Sequence, residues 1–538
     1  MKYDAVIVGG GIAGLTAAAY LAKAGKSVVL FEQQAKLGGL VQTFERDQVY
    51  FDGGLRSIEN SGVVFPMLRQ LGIDIEFMKS PISIGIADSV MIVTDKSAIE
   101  DYELFLKEQY PQNKKDIEAI IKEIRKIMKY MDVLYAIDNP AFLDFKKDRK
   151  YILKVMLPWL FKFLFIIGKI NKLNEPADEY LKRFTNNQAL IDIIAQHFFQ
   201  KTPTFFALSY FSLYLDYHYP KGGTATVINK LIEFIVKHGA VIKTETLIAE
   251  INPEAKTVTD SEGNVASYDE LVWAGDTKHL YNCIDTDLLK NEQLAGLIKQ
   301  KQVSLKPLKG SDSIFTVYLT VDEPKEYFER ICTGHFFYTP DKRGLSTVDK
   351  STADAFLSMS FPLVDEEKTR EQVKQYIRDY IYLNTFEVAI PVLRDPDLAP
   401  AGKTGVVISL FFDYALSKKM DEAGWTNIMK PFIENCIIDA LEGSIFPGFK
   451  SKISLQFSSS PLTIQKLTGN TEGAITGWAF TNPFVPAVNK MLQVNISVET
   501  IIPSVSQAGQ WTYSPAGFPM SVVTGKLAAD RVLRNLTT

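Results

Sequence analysis

Tyr3-Asp4-Ala5-Val6-Ile7-Val8-Gly9-Gly10-Gly11-Ile12-Ala13-Gly14-Leu15-Thr16, followed by Ser27-Val28-Val29-Leu30-Phe31-Glu32, decides the fold. An apolar strand runs into a glycine turn, an alanine-rich helix leaves it, and a second strand ends in an acid. Gly9 permits the sharp turn, Gly11 carries no side chain to block a pyrophosphate, and Gly14 lets the helix lie against the strand. The helix start at Ile12 and Ala13 offers unpaired N–H groups and the positive dipole end to phosphates. Glu32, 18 residues beyond Gly14, stands with Gln33 where a carboxylate accepts hydrogen bonds from ribose hydroxyls and disfavours a 2'-phosphate. The unit predicts a Rossmann-like α/β domain for an adenylated dinucleotide. NAD and FAD are both open at this point; NADP is not expected.

Five further segments follow in the chain. Gly38-Gly39-Leu40 and Asp52-Gly53-Gly54-Leu55-Arg56 come soon after the second strand. Tyr219-Pro220-Lys221-Gly222-Gly223-Thr224 precedes a periodic helix over 225–238, and Thr471-Glu472-Gly473-Ala474-Ile475-Thr476-Gly477-Trp478 lies late. The chain closes with Gly509-Gln510-Trp511 and Pro515-Ala516-Gly517-Phe518-Pro519-Met520, feeding a final helix expected from about Met520. Together, in this order, they resemble the flavoprotein family that includes carotenoid desaturases and isomerases, retinol saturase and, more distantly, amine oxidases.

The resemblance implies FAD as cofactor. Gly38, Gly39 and Leu40 would pass its phosphates, while Asp52, Gly53, Gly54, Leu55 and Arg56 would run beside the flavin ring. Ile248 would meet the adenine, and Ala274 and Gly275 the phosphates. Gly509, Gln510, Gly517, Phe518 and Met520 would lead into a helix whose amino terminus faces the flavin. By family position Arg56, Tyr219 and Glu472 are the candidate catalytic residues. An arginine stays protonated, so Arg56 would bind a carboxylate or steady an anion, or else pair with Asp52 or Glu59. One departure stands out: 503–508, Pro-Ser-Val-Ser-Gln-Ala, replaces an aliphatic strand and leaves its pairing open.

At 538 residues two lobes are expected. The cofactor domain is expected from 1–78, 220–276 and 490–538, and an inserted α+β substrate domain from 79–219 and 277–489. A net charge of -4 argues against nucleic acid. Cys283, Cys332 and Cys436 are scattered, and the five histidines are dispersed, so neither a disulfide nor a metal site is expected. The first residues enter a strand without the pattern of a signal peptide, which predicts a cytoplasmic protein.

Two segments of the substrate domain are apolar. Over 145–172, Lys146, Lys147, Arg149 and Lys150 precede a run in which Lys154, Lys162 and Lys169 share one side of a helix that Pro158 would kink or divide. No uninterrupted run reaches a bilayer-spanning length. The segment reads as a helix lying in a membrane interface or as an ordinary core helix with one wet stripe. Phe198, Phe199, Phe205, Phe206, Tyr210, Phe211, Tyr214, Tyr217 and Tyr219 read either as tunnel lining or as packing. Lys107 to Tyr135 is charged and helical in period and reads as a solvated face in place of a site.

The expected function is therefore an FAD-dependent oxidoreductase that moves a hydride between flavin and a long apolar substrate. A carotenoid, retinoid or other isoprenoid or lipid would be desaturated, saturated or isomerised. An amine or protoporphyrinogen-type oxidase and a non-enzymatic lipid escort are the alternatives. The sequence carries no reading of oligomeric state.

Overall fold

A computed structural model describes residues 2–143 and 148–537; Lys146 and Lys147 lie outside the described residues. The opening strand Lys2–Val8 sits inside a sheet of parallel neighbours, with Val28–Phe31 on one side and Val265–Trp273 on the other. Val241–Lys243 extends the sheet beyond Val28–Phe31 in parallel, and the antiparallel pair Ile248–Asn252 and Thr257–Asp260 closes its other edge. The inner strand Val28–Phe31 is apolar and buried at every residue, as expected of a parallel strand covered on both faces.

The helix Ile12–Lys23 is buried along its length up to Lys23. Its small residues allow two close approaches. A Cβ at Gly14 would stand 2.0 Å from the Gly9 carbonyl oxygen, and one at Gly525 would stand 2.4 Å from that of Ala13. The second approach seats the final helix against the first, so the two ends of the chain build one domain. That final helix spans Phe518–Asn535, two residues earlier than Met520. The segment before it does pair: Val505–Gln507 adds in parallel register to Leu271–Trp273, and Ser506 is buried.

A second sheet orders Ile453–Ser459, Ser313–Val321, Thr404–Phe412, Phe386–Ala389, His335–Thr339, Ile82–Ile86 and Ser89–Val93. A small sheet of Ile58–Glu59, Tyr217–Pro220 and Phe77–Lys79 stands between the two large ones. The architecture is mixed α/β.

The segment 107–135 is helical with a break at Pro111. Ala98–Gln109 ends before Pro111, and Lys114–Leu134 begins afresh and buries Ile117, Ile120, Ile121, Ile124, Ile127 and Met128 on one face. The charge content conceals an amphipathic core helix. Arg149–Ile170 forms one 22-residue helix with mean hydropathy 1.7, long and apolar enough by length and composition to cross a membrane. Pro158 does not break it: the turn Ile152–Met156 widens to i→i+5 pairing just before. Phe163, Ile166, Ile167 and Ile170 face inward, whereas Leu153, Phe161 and Phe165 are 66%, 73% and 70% exposed.

Candidate active site

The carboxyl ends of the parallel strands open into one cavity of about 2100 Å³. Ligand pockets commonly measure roughly 300–1,000 Å³, so this one has room for a dinucleotide and a second molecule. At one end lies the glycine turn. Gly9 takes φ +105°, and a Cβ at Gly11 would meet nothing within 4 Å, so it would project into the cavity. Glu32 also lines this end. Its Oε2 accepts the Gly10 N–H at 2.7 Å and its Oε1 the Gln34 N–H at 2.9 Å. A carboxylate accepts about four hydrogen bonds, so the two backbone donors fix its orientation and leave capacity for ribose hydroxyls.

Gly38 and Gly39 face the turn, and Gly38 takes φ +117°. The stretch Gly53 to Arg56 lines the wall; a Cβ at Gly54 would stand 2.1 Å from the Leu40 carbonyl oxygen. From the far side Gly509, Gln510, Gly517, Phe518 and Met520 close over the same space. Gly517 caps the final helix without a side-chain bond, so the first-turn N–H groups face the cavity unpaired. The residues present fit FAD: a side-chain-free floor at Gly11, an oriented acid, and two helix amino termini directed at one elongated space.

Every cofactor position expected from the sequence lines this cavity except Gly14 and Asp52. Asp52 is fully buried behind the wall. Its carboxylate accepts from Tyr219 Oη (2.7 Å), Thr43 Oγ1 (2.8 Å), Thr224 N (3.0 Å) and Thr224 Oγ1 (2.9 Å). It ties the chain returning at Tyr219–Thr224 to the turn that presents Gly53 to Arg56, and so acts by positioning. Tyr219 is fully buried with it, under the Arg394 guanidinium 3.9 Å from its ring centre. Burial and Asp52 raise its pKa well above the usual phenol value. Neither Tyr219 nor Glu472 is among the residues lining the cavity. Arg56 alone of the three expected catalytic residues lines it, and it bonds the Asp52 carbonyl oxygen and Ser409 Oγ (2.9 Å).

The aromatic run divides. Phe199, Phe205, Phe206, Tyr210 and Tyr217 line the cavity, while Phe198, Phe211 and Tyr214 pack in the core. Trp159, Leu160, Phe163 and Ile170 of the exposed helix also line it.

Four polar residues that sequence reasoning missed share this wall: Ser57, Glu59, His335 and Glu387. Strand register assembles them, since Phe337 lies opposite Glu387 and His335 opposite Ala389. His335 and Glu387 therefore sit diagonally on one face. The available signal was a lone acid in the apolar run Phe386-Glu387-Val388-Ala389-Ile390. Burial holds His335 below the usual imidazole range. Burial pushes Glu387 up, but the His335 hydrogen bond and the charges of Arg56 and Arg394 outweigh it and hold the carboxyl low. Burial and the Asp216 charge push Glu59 up to about 7, against its bond from Tyr217.

A family model for an NAD(P)-binding Rossmann-like domain matches residues 7–71. An all-trans-retinol 13,14-reductase of Danio rerio is 22% identical over 99% of this chain and 86% of its own. A 1-hydroxycarotenoid 3,4-desaturase of Flavobacterium sp. is 22% identical over 98% of each chain. The chain spans only 56% of an inactive all-trans-retinol 13,14-reductase of Danio rerio, at 25% identity over 64% of this chain. Among solved structures, a putrescine oxidase superposes with TM-score 0.60, 13% identity and 99% of each chain. That likeness shows the fold, a mixed α/β architecture with a Rossmann-like domain shared with amine-oxidase-like flavoenzymes. Within that class the chain is a homologue of the retinol reductases, prolycopene isomerases and carotenoid desaturases.

Proposed function

We propose that the protein is an FAD-dependent oxidoreductase that acts on a long apolar molecule, a carotenoid, retinoid or other isoprenoid or lipid, at its carbon–carbon double bonds. The observation that carries this reading is the single cavity joining the Gly11 cradle to a chamber lined by Phe205, Phe206, Tyr210 and Trp159. Bound FAD supplies hydride transfer at its ring. The chain does the rest. The glycine turn, Glu32 and the final helix hold the cofactor, Leu55 and Arg56 present the wall beside the ring, and the aromatic chamber excludes water from the substrate.

The division into a cofactor domain (1–78, 220–276 and 490–538) and a substrate domain (79–219 and 277–489) belongs to the same proposal. So does a peripheral seat on the cytoplasmic membrane. The outer face of Arg149–Ile170 exposes Leu153, Phe161 and Phe165 among Lys154, Lys162 and Lys169. Such a face inserts its apolar side chains while the lysines reach the headgroups. The inner face of the same helix lines the cavity, which supports a path from bilayer to site that avoids water.

The test is turnover of the FAD-loaded protein with a long polyene, followed by mass. A change of two hydrogens, or an altered double-bond geometry at constant mass, supports the proposal. Turnover of small amines with no effect on polyenes overturns it.

A further inference from the structure

Ser57, His335 and Glu387, hydrogen-bonded in series, form with Glu59 one polar wall of the cavity, beside the aromatic lining of Phe205, Phe206 and Tyr210. Its hydrogen bonds have a direction. Arg394 Nη1 donates to Ser57 Oγ at 3.2 Å, and Ser57 lies 2.9 Å from His335 Nδ1. Ser57 Oγ is also 3.2 Å from Ser80 Oγ, but the Glu387 carboxylate on the other ring nitrogen only accepts, so Nδ1 of a neutral His335 must accept the Ser57 proton. His335 is then the Nε2–H tautomer and donates to Glu387 Oε1 at 2.9 Å. Among the described residues His335 is the sole hydrogen-bond partner of Glu387. The Glu387 side chain keeps 35% of its surface accessible although it lies deep in the molecule, because that surface faces the cavity.

An acceptor with one unengaged oxygen in an apolar chamber requires a donor from whatever fills that chamber. The surroundings select its charge. Arg56 and Arg394 already act on Glu387, so a ligand ammonium would add a third cation. Glu59 stands on the same wall beside Tyr217, whose ring stacks on His335 at 5.3 Å. A ligand carboxylate would set acceptor against acceptor at the free Glu387 oxygen, with no proton between them. An aldehyde, ether or hydrocarbon has no proton to offer. A hydroxyl meets all three conditions.

We propose that Glu387, oriented by His335 and Ser57, anchors the hydroxyl end of an otherwise apolar alcohol. The proposal rests on the functional reading above and adds the polar terminus of the substrate. It is tested by binding to the FAD-loaded full chain, read as quenching of tryptophan fluorescence by retinol, its methyl ether, retinoic acid and retinylamine. Wild type should hold retinol about 10-fold more tightly than the ether, the worth of one hydrogen bond to a charged group. Glu387→Ala should abolish that preference with ether binding and flavin absorbance unchanged. Glu387→Gln keeps the shape and the fold, and should reduce the preference to about 3-fold. Equal binding of retinol and ether by wild type, a preference that survives both substitutions, or tighter binding of the acid or the amine would each overturn the anchor. A protein that takes up no flavin, or binds none of the four probes, refutes the functional reading and the anchor with it.

Discussion

Replacing Gly11 by valine separates cofactor binding from folding. Gly11 has φ -73° and ψ 177°, a conformation open to any residue, and its Cβ would meet no protein atom within 4 Å. Stability without cofactor should therefore change by no more than about 0.5 kcal/mol. The added methyls occupy the space beneath the amino terminus of Ile12–Lys23, where the pyrophosphate would lie. Its retreat loses about 1 kcal/mol of dipole attraction and one charge-assisted hydrogen bond of about 2 kcal/mol. The sum, about 3 kcal/mol, is roughly a 100-fold loss in FAD affinity. The assay is titration of the stripped protein with FAD, followed by absorbance, alongside thermal unfolding without FAD. Wild-type FAD affinity in Gly11→Val would refute the reasoning, and so would a large fall in cofactor-free stability.

Gly525→Ala places a methyl 2.4 Å from the Ala13 carbonyl oxygen, so it should destabilise by about 1–3 kcal/mol in thermal unfolding even without FAD. Asp52→Ala strands the Tyr219, Thr43 and Thr224 donors and should cost about 3 kcal/mol or more. Glu59 titrates in the folded protein at about 7 instead of 4.5, so its contribution to stability is full below 4.5 and is lost as pH rises through 7. Melting of Glu59→Gln compared with wild type from pH 4 to 8 should show the variant gaining relative stability towards pH 8; a constant difference would contradict this. Phe161→Ser with Phe165→Ser alters two exposed side chains, so flotation on anionic vesicles should fall about 10-fold or more while unfolding stays within about 0.5 kcal/mol.

The cofactor end was legible in the sequence because local geometry writes it there. A turn that needs positive φ at Gly9 and an approach that tolerates no Cβ at Gly14 leave only glycine, wherever the rest of the chain goes. The strand at Val505–Gln507 was harder to read, since its burial depends on Leu271–Trp273 and the final helix, both distant in sequence. The polar wall was illegible for the same reason. His335 lies 278 residues from Ser57 and 52 from Glu387; strand pairing brings His335 and Glu387 together, and Ser57 joins them only in the folded chain. Tyr219 and Glu472 show the converse error. Chain position placed them near the cofactor, but Tyr219 is taken up by Asp52, and neither is on the cavity wall.

The most direct test is mass spectrometry of the small molecules released when the purified protein is denatured. The account predicts FAD at about one per chain together with a long apolar molecule from the chamber. Release of neither, or of a small polar amine in place of the apolar molecule, would contradict it.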